Sequence, residues 1–99
     1  MITSIKSVIQ NESLSSNDIL SEVEFLSSTL SLLRDSDEIS NDQFLEAGSI
    51  QGGLNLLCAM ISNGAADNEI KLQASSLMVK TESLCSKHEK LDAIIESKR

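Results

Sequence analysis

The stretch "ILSEVEFLSSTLSLL", residues 19–33, carries the clearest structural pattern in the chain. Its apolar residues recur at alternating steps of four and three, which places them on one face of a helix. Asn17 is the expected N-cap, and acidic Asp18 follows where the helix dipole favours it. The pattern predicts an amphipathic helix that stops in residues 34–38 and buries Ile19, Val23, Leu26, Leu30 and Leu33.

A second helix is predicted after this one, with a signal at each end. Ser40 and Gln43 have the S-x-x-Q spacing of a capping box, in which each residue satisfies a backbone N–H of the other. Asn63-Gly64 is a stop signal, because glycine adopts the left-handed conformation that follows many helices. The apolar face of this helix consists of Ala47, Ile50, Leu54, Leu57 and Ile61.

A third main helix is predicted to start near Asp67 and to run almost to Arg99 without a glycine or proline. At about 1.5 Å per residue it would be roughly 45 Å long and would extend past its neighbours. Its inward positions follow steps of four and three like those of a coiled coil. They are Ile70, Ala74, Leu77, Thr81, Leu84, His88, Leu91 and Ile95.

These patterns predict an all-α protein with a single domain over residues 1–99, since a chain of 99 residues is one domain in length. The expected architecture is a small helical bundle of three main helices over residues 18–99. Residues 1–11 form a short N-terminal helix or arm, and residues 12–17 form a linker. The long C-terminal helix is expected to present a coiled-coil-like seam.

Three of the four glycines stand in "EAGSIQGGLNLL", residues 46–57. The spacing from Gly48 to Gly53 imitates a phosphate-binding loop, but Leu54 occupies the place of its lysine and no strand precedes it. No nucleotide or other cofactor is therefore expected. Instead Gly48, Gly52 and Ala59 are predicted to form the close-packing side of a buried central helix. A break at Gly52-Gly53 into two shorter helices is the alternative.

Residues 35–46 imitate a calcium loop. The fifth position is Ile39, which has no side-chain oxygen, and the sixth is Ser40 where the turn needs glycine. We therefore expect no calcium site in this segment.

Cys85 and His88 lie three residues apart on the last helix, and Cys58 is the other strong metal ligand. A zinc site needs at least three protein ligands, so these residues would suffice only in a symmetric dimer. With a single histidine and no nucleophile paired to a base, the chain is not expected to be an enzyme or to hold a metal.

The chain is acidic, with a formal net charge of −7 and a pI near 4.5. Direct binding to nucleic acid is not expected, because phosphate contacts require basic residues. The acidic residues concentrate in the first half of the chain, and a face built from them could meet a basic partner. The candidates for this acidic face are Glu22, Glu24, Asp35, Asp37, Glu38 and Asp42.

The expected location is the cytoplasm. The chain has no unbroken apolar run of about 18 residues, and its first residues do not look like a secretory signal. Two cysteines without such a signal suggest a reducing compartment. No contact with a membrane is therefore expected.

The apolar residues that a monomer explains least are the candidates for a partner or dimer interface. The end of the long helix would overhang the bundle and expose a seam, for which a second copy of the chain is the favoured cover. These candidates are Leu84, His88, Leu91, Ile94 and Ile95, together with Ile2, Ile5, Val8 and Ile9 of the N-terminal helix.

The sequence favours a small acidic module for protein–protein interaction, an adaptor or a chaperone-like protein that binds a partner through an apolar helix face. The alternative is an acidic inhibitor or regulator, such as phages produce, that occupies the basic nucleic-acid-binding surface of a target protein. A structural coiled-coil component comes third.

Overall fold

The computed structural model describes residues 5–6 and 16–99. Within this part of the chain it contains four α-helices and no strand: α1 (Ser16–Asp35), α2 (Asn41–Ser62), α3 (Asp67–Lys87) and α4 (Leu91–Glu96). The predicted all-α bundle is confirmed. Ile5 lies in the hydrophobic core. Apart from Ile5 and Lys6, the predicted N-terminal helix, including Ile2, Val8 and Ile9, lies outside the described residues.

The helix α1 packs through the stripe of residues that its sequence pattern predicts. All five are buried: Ile19, Val23, Leu26, Leu30 and Leu33. The helix already begins at Ser16, so it includes the last two residues of the predicted linker. Asn17 therefore lies in the first turn and is not the N-cap, and its carbonyl accepts a hydrogen bond from the Ser21 hydroxyl at 3.0 Å.

A tight turn ends α1 and leads into α2. The backbone N–H of Glu38 donates to the carbonyl of Leu33 at 2.9 Å, and that of Asp37 donates to Arg34 at 3.1 Å. These two bonds form a Schellman motif, in which Asp37 takes the left-handed position with φ of 60°. Ile39 follows directly and is buried, so the turn returns the chain to the core.

Both predicted ends of α2 are confirmed. The capping box has the Gln43 N–H donating to Ser40 Oγ at 3.1 Å and the Ser40 N–H donating to Gln43 Oε1 at 2.9 Å. At the other end Gly64 has φ of 74°, and the Ala65 N–H donates to the Met60 carbonyl at 2.9 Å. The helix is continuous between these ends, so the alternative of a break at Gly52-Gly53 is wrong.

The middle position in the bundle belongs to α2, which contacts both α1 and α3. Its buried residues, Ala47, Ile50, Leu54 and Leu57, lie on the predicted face. Each fully buried Leu or Ile stabilises the fold by roughly 1.5–3 kcal/mol relative to leaving it in water. This face therefore determines how α2 is rotated about its own axis.

The prediction of a close neighbour at Gly48, Gly52 and Ala59 is wrong within this chain. A Cβ atom built on Gly48 or Gly52 would have no heavy atom within 4 Å, and Ala59 is exposed. The close approach occurs at Gly53, where a Cβ would lie 2.6 Å from Leu77 Cδ1. Burial of the core face turns Gly53 towards α3 and leaves the other two glycines on the far side of α2.

The predicted long C-terminal helix is also wrong in its continuity. The helix α3 ends at Lys87, a turn follows over residues 88–90, and α4 then packs against α1. The longest dimension of the structure is 40 Å, shorter than the roughly 45 Å of a continuous helix. The turn allows Leu91 and Ile95 to be fully buried, and this burial explains why the helix breaks without a glycine or proline.

An ion pair fastens the end of the described chain to α1. The Arg99 guanidinium donates to both carboxylate oxygens of Glu22, at 3.1 and 2.9 Å. The same guanidinium lies 3.9 Å from the centre of the Phe25 ring. Because Glu22 is only 5% exposed, its carboxylate needs such a partner. Glu22 is therefore a buried anchor and is not available to the predicted acidic face.

The two neighbouring glycines provide a matched test of the helix packing. We expect Gly52→Ala to raise the free energy of unfolding by about 1 kcal/mol, because alanine is the better helix former and the site is open. The substitution Gly53→Ala should cancel that gain, because displacing the buried Leu77 costs about 1–3 kcal/mol. Urea unfolding of both variants measures the difference. Equal stabilities would contradict the close approach at Gly53.

A second pair of variants tests the turn after α3. We expect Leu91→Ala to lower the free energy of unfolding by about 2–5 kcal/mol, because it opens a cavity in the core. Leu72→Ala, at a side chain that is 70% exposed, should change it by less than about 0.5 kcal/mol. Thermal or urea unfolding at low protein concentration provides the comparison. A small effect at Leu91 would mean that α4 does not pack on α1.

Candidate interaction surface

The structure buries most of the predicted C-terminal interface. Leu84, Leu91 and Ile95 are 6%, 0% and 0% exposed in the chain's own core. Ile94 is partly buried against that core, and the side chain of His88 is bonded to Glu46 of α2. The exposed seam on which the interface prediction rested does not exist in the monomer, because the turn after α3 folds it inwards.

A groove lies between α2 and α3 instead. Its volume is about 450 Å³, and it opens broadly to solvent. Ile50 and Leu84 form its buried floor, and Val79, which is 66% exposed, forms an apolar wall. Ser49 and Ser83 complete its sides. The charged residues Glu46, Lys80 and Lys87 complete the lining of the groove.

Two contacts between α2 and α3 account for the position of the groove. Gly53 lets α2 approach Leu77 closely on one side of it. On the other side, Glu46 of α2 bonds to Lys87 of α3. Between these contacts the facing residues include Ser49 and Ser83, whose side chains are too short to fill the space between the helix backbones. The groove is thus a consequence of small residues placed between two fixed contacts.

The end of the groove carries a small charged network. The Lys87 ammonium donates to Glu46 Oε1 at 2.6 Å, and His88 Nε2 lies 2.7 Å from Glu46 Oε2. The hydrogen bond from Lys87, and then that from His88, lower the pKa of the Glu46 carboxyl. The same bond to Glu46 raises the pKa of Lys87. At neutral pH the network therefore consists of a carboxylate held by a cation and by the imidazole ring.

The cysteines do not come together into a metal site. Among the residues that the structure describes, no three His, Cys, Asp or Glu side chains are grouped closely enough to hold a metal ion. The Cys58 thiol donates to the Ser16 carbonyl at 3.6 Å. Burial, with a smaller contribution from Asp92, raises the pKa of the Cys85 thiol, so this thiol is protonated at neutral pH.

The predicted acidic face is dispersed in the structure. Glu22 is buried under Arg99, and Glu24, two residues further along the same helix, is exposed on another side. Glu38 lies 3.6 Å from Lys98, and a hydrogen bond from the Ser36 hydroxyl lowers its pKa. Three further members of the set remain exposed near the turn between α1 and α2: Asp35, Asp37 and Asp42.

The exposed apolar side chains were missed by the sequence analysis. Leu45 and Leu56 of α2 are 65% and 52% exposed, and Leu72 and Val79 of α3 are 70% and 66% exposed. Their spacing contained a usable signal, because residues eleven or seven apart lie on the same side of a helix. These residues lie outside the stripe that each helix turns towards the core, and the periodicity predicts only those stripes.

One helix among the described residues, α2, is long and apolar enough to cross a membrane by length and composition. The helix contains no unbroken apolar run of about 18 residues, which is a stricter criterion. The central helix of a soluble bundle can meet the same composition test, so this observation is weak evidence for a membrane. Of the most apolar stretch of α2, 22% is buried, and the large apolar side chains of Leu45 and Leu56 on this helix are exposed.

The described residues thus define a small all-α bundle with an apolar groove and an unusually apolar central helix. Comparisons of the chain with protein-family models, curated proteins and solved structures found no match. The evidence for a function therefore comes from the surfaces of the chain itself.

The network at the end of the groove predicts a pH effect on stability. The folded-state pKa of Glu46 lies below its ordinary value of 4.5, so the ionised carboxylate stabilises the fold above pH 4.5. This stabilisation is lost as the pH falls through the lowered pKa. We expect Glu46→Gln to be slightly less stable than the wild type near pH 7, and the difference to vanish below the lowered pKa. Thermal unfolding across this range measures it, with Glu24→Gln as the exposed control. A difference that persists in acid would contradict the assignment.

Proposed function

We propose that this protein is a small helical module for protein–protein interaction, an adaptor or a chaperone-like protein. Its partner would place an apolar segment in the groove between α2 and α3. The observation that carries the proposal is an apolar floor, Ile50 and Leu84, lying open between two helices. The partner is still expected to bind through apolar contacts with helices, but the binding site is this groove instead of the predicted C-terminal seam.

The size of the groove favours side chains of a helix as its occupant. A volume of about 450 Å³ is within the range of roughly 300–1,000 Å³ that ligand pockets occupy. An amphipathic helix that lies along two other helices inserts its apolar residues at steps of three and four. The exposed Val79 and the buried floor together offer apolar contact to one turn of such a helix.

The rim of the groove supplies polar contacts. Lys80 lines it and is exposed, and the Ser49 and Ser83 hydroxyls stand on opposite helices. A docked helix would place its apolar residues on the floor and its polar residues against these groups, with an acidic side chain favoured near Lys80. Such polar groups fix the orientation and register of a partner more than they add affinity.

The acidic regulator is the weaker alternative. Two of the six carboxylates assigned to its face, Glu22 and Glu38, are engaged by Arg99 and Lys98 within the chain. The structural coiled-coil component is also less well supported, because the helical stripes that suggested it are used inside the monomer. A cytoplasmic location remains part of the proposal, since the two cysteines are free thiols.

Two aspartate substitutions on the same helix test the groove. Val79→Asp places a charge in the groove, and Leu72→Asp places one seven residues earlier at an equally exposed position outside it. Both variants should fold like the wild type, because both side chains are mostly in water. We expect a partner that is retained by the wild type and by Leu72→Asp to be lost by Val79→Asp.

The measurement is affinity capture from cells of the native host, with quantitative mass spectrometry on the three proteins side by side. Circular dichroism confirms that each variant is folded. A captured protein that binds Val79→Asp and Leu72→Asp equally well would contradict the proposal that the groove is the binding site. Capture that is insensitive to both substitutions and falls steeply with salt would favour the acidic regulator, because exposed charge pairs are screened.

A further inference from the structure

The outer face of α2, defined here as Leu45, Gly48, Gly52, Leu56 and Ala59, has no partner in the described chain. Leu45 and Leu56 are 65% and 52% exposed, and a Cβ on either glycine would meet no atom within 4 Å. The face combines two large apolar side chains with gaps in which a helix backbone could approach closely. It lies away from both the core face of α2 and the side on which Gly53 meets α3.

Most of this face, from Gly48 to Ala59, lies in a stretch of α2 that carries no charge. No charged residue occurs between Ala47 and Ser62. Leu45, at the start of the face, lies next to Glu46 and three residues after Asp42, and Glu46 is bonded to Lys87 of α3. Identical copies of a chain with a net charge of −7 repel one another wherever like charges meet. The uncharged stretch around Gly52 is therefore the place where two copies can approach at least cost.

The residue sizes on this face are self-complementary about Gly52. Leu45 stands seven residues before Gly52 and Ala59 seven after it, while Gly48 stands four before it and Leu56 four after it. In an antiparallel pair with its two-fold axis at Gly52, each large leucine would thus meet a glycine or alanine of the other copy. We propose that this face is a homodimer interface in which two α2 helices pack antiparallel across Gly52.

The antiparallel direction follows from size and charge. A parallel pair would place every residue opposite its own copy, leucine against leucine, and would bring the acidic residues Asp42 and Glu46 of the two chains together. The antiparallel pair separates these acidic turns and sets the two helix dipoles in opposite directions, which is favourable. Small residues on both helices allow the close backbone approach that such a pair requires.

The dimer is independent of the proposed groove. The groove lies on the side of α2 that faces α3, and none of the residues that line it belongs to the outer face. Either surface can therefore fail its test while the other passes.

The decisive variant is Gly52→Glu. The open site accepts the side chain in the monomer, and Glu is a better helix former than Gly, so we expect an unchanged or higher melting temperature. In the dimer the two new carboxylates would meet at the two-fold axis and weaken association at least about tenfold. Leu72→Glu, on α3, is the matched control and should leave the association unchanged.

Sedimentation equilibrium of the intact chain measures its self-association. The protein concentration should extend from about 10 µM to about 1 mM, because an interface of one helix face per copy is small and weak. We expect the wild type and Leu72→Glu to dimerise and Gly52→Glu to remain a monomer. A wild type that is monomeric throughout, or a Gly52→Glu variant that dimerises like the wild type, would overturn the proposal.

Disulfide trapping determines the direction of the pair. In a background with Cys58→Ala and Cys85→Ala, we expect Leu45→Cys to cross-link to Ala59→Cys when the two variants are mixed and oxidised. Preferential cross-linking of Leu45→Cys to itself would indicate a parallel pair and would overturn the arrangement. Binding of a monomeric wild type to phosphatidylcholine vesicles, abolished by Gly52→Glu, would assign the face to a lipid surface and overturn the dimer.

Discussion

The rotation of α2 about its own axis is the constraint on which the rest of the structure depends. Ile50, Leu54 and Leu57 must all reach the core that α1 and α3 share, because the buried apolar residues are only Ile, Leu, Val and Ala. Once these three are inside, Gly53 necessarily turns towards α3, and Gly52 points to solvent. The groove and the outer face of α2 are the two sides of the helix that the core leaves unused.

The turn after α3 is the second feature that determines how the helices are arranged. A straight helix would leave Leu91 and Ile95 in water beyond the bundle, where each would forgo roughly 1.5–3 kcal/mol of burial. Breaking the helix over residues 88–90 costs a few backbone hydrogen bonds and returns both side chains to α1. The pair of Arg99 with Glu22 then compensates the burial of a carboxylate that α1 would otherwise hold alone.

The two proposed surfaces arise from the same property of the sequence, an excess of apolar and small residues on α2. The groove uses its boundary with α3, where Ser49 and Ser83 leave a gap over Ile50 and Leu84. The outer face uses the side turned away from the core, where two leucines alternate with glycines and alanine. One surface suits the apolar side chains of a partner helix, and the other suits an identical helix.

The sequence by itself determined the buried stripe of α1 and both ends of α2. The capping box at Ser40, the stop at Gly64 and the buried stripe of α1 depend on contacts within one or two turns, so local patterns predicted them correctly. Only the tertiary structure decided which glycine is packed, where the last helix breaks and which carboxylates are free. Those outcomes depend on which sides of neighbouring helices meet, and on Leu91 gaining more from burial against α1 than from a continuous helix. The candidate surface lies in the groove and not at the predicted C-terminal seam for the same reason, because the core buries the residues of that seam.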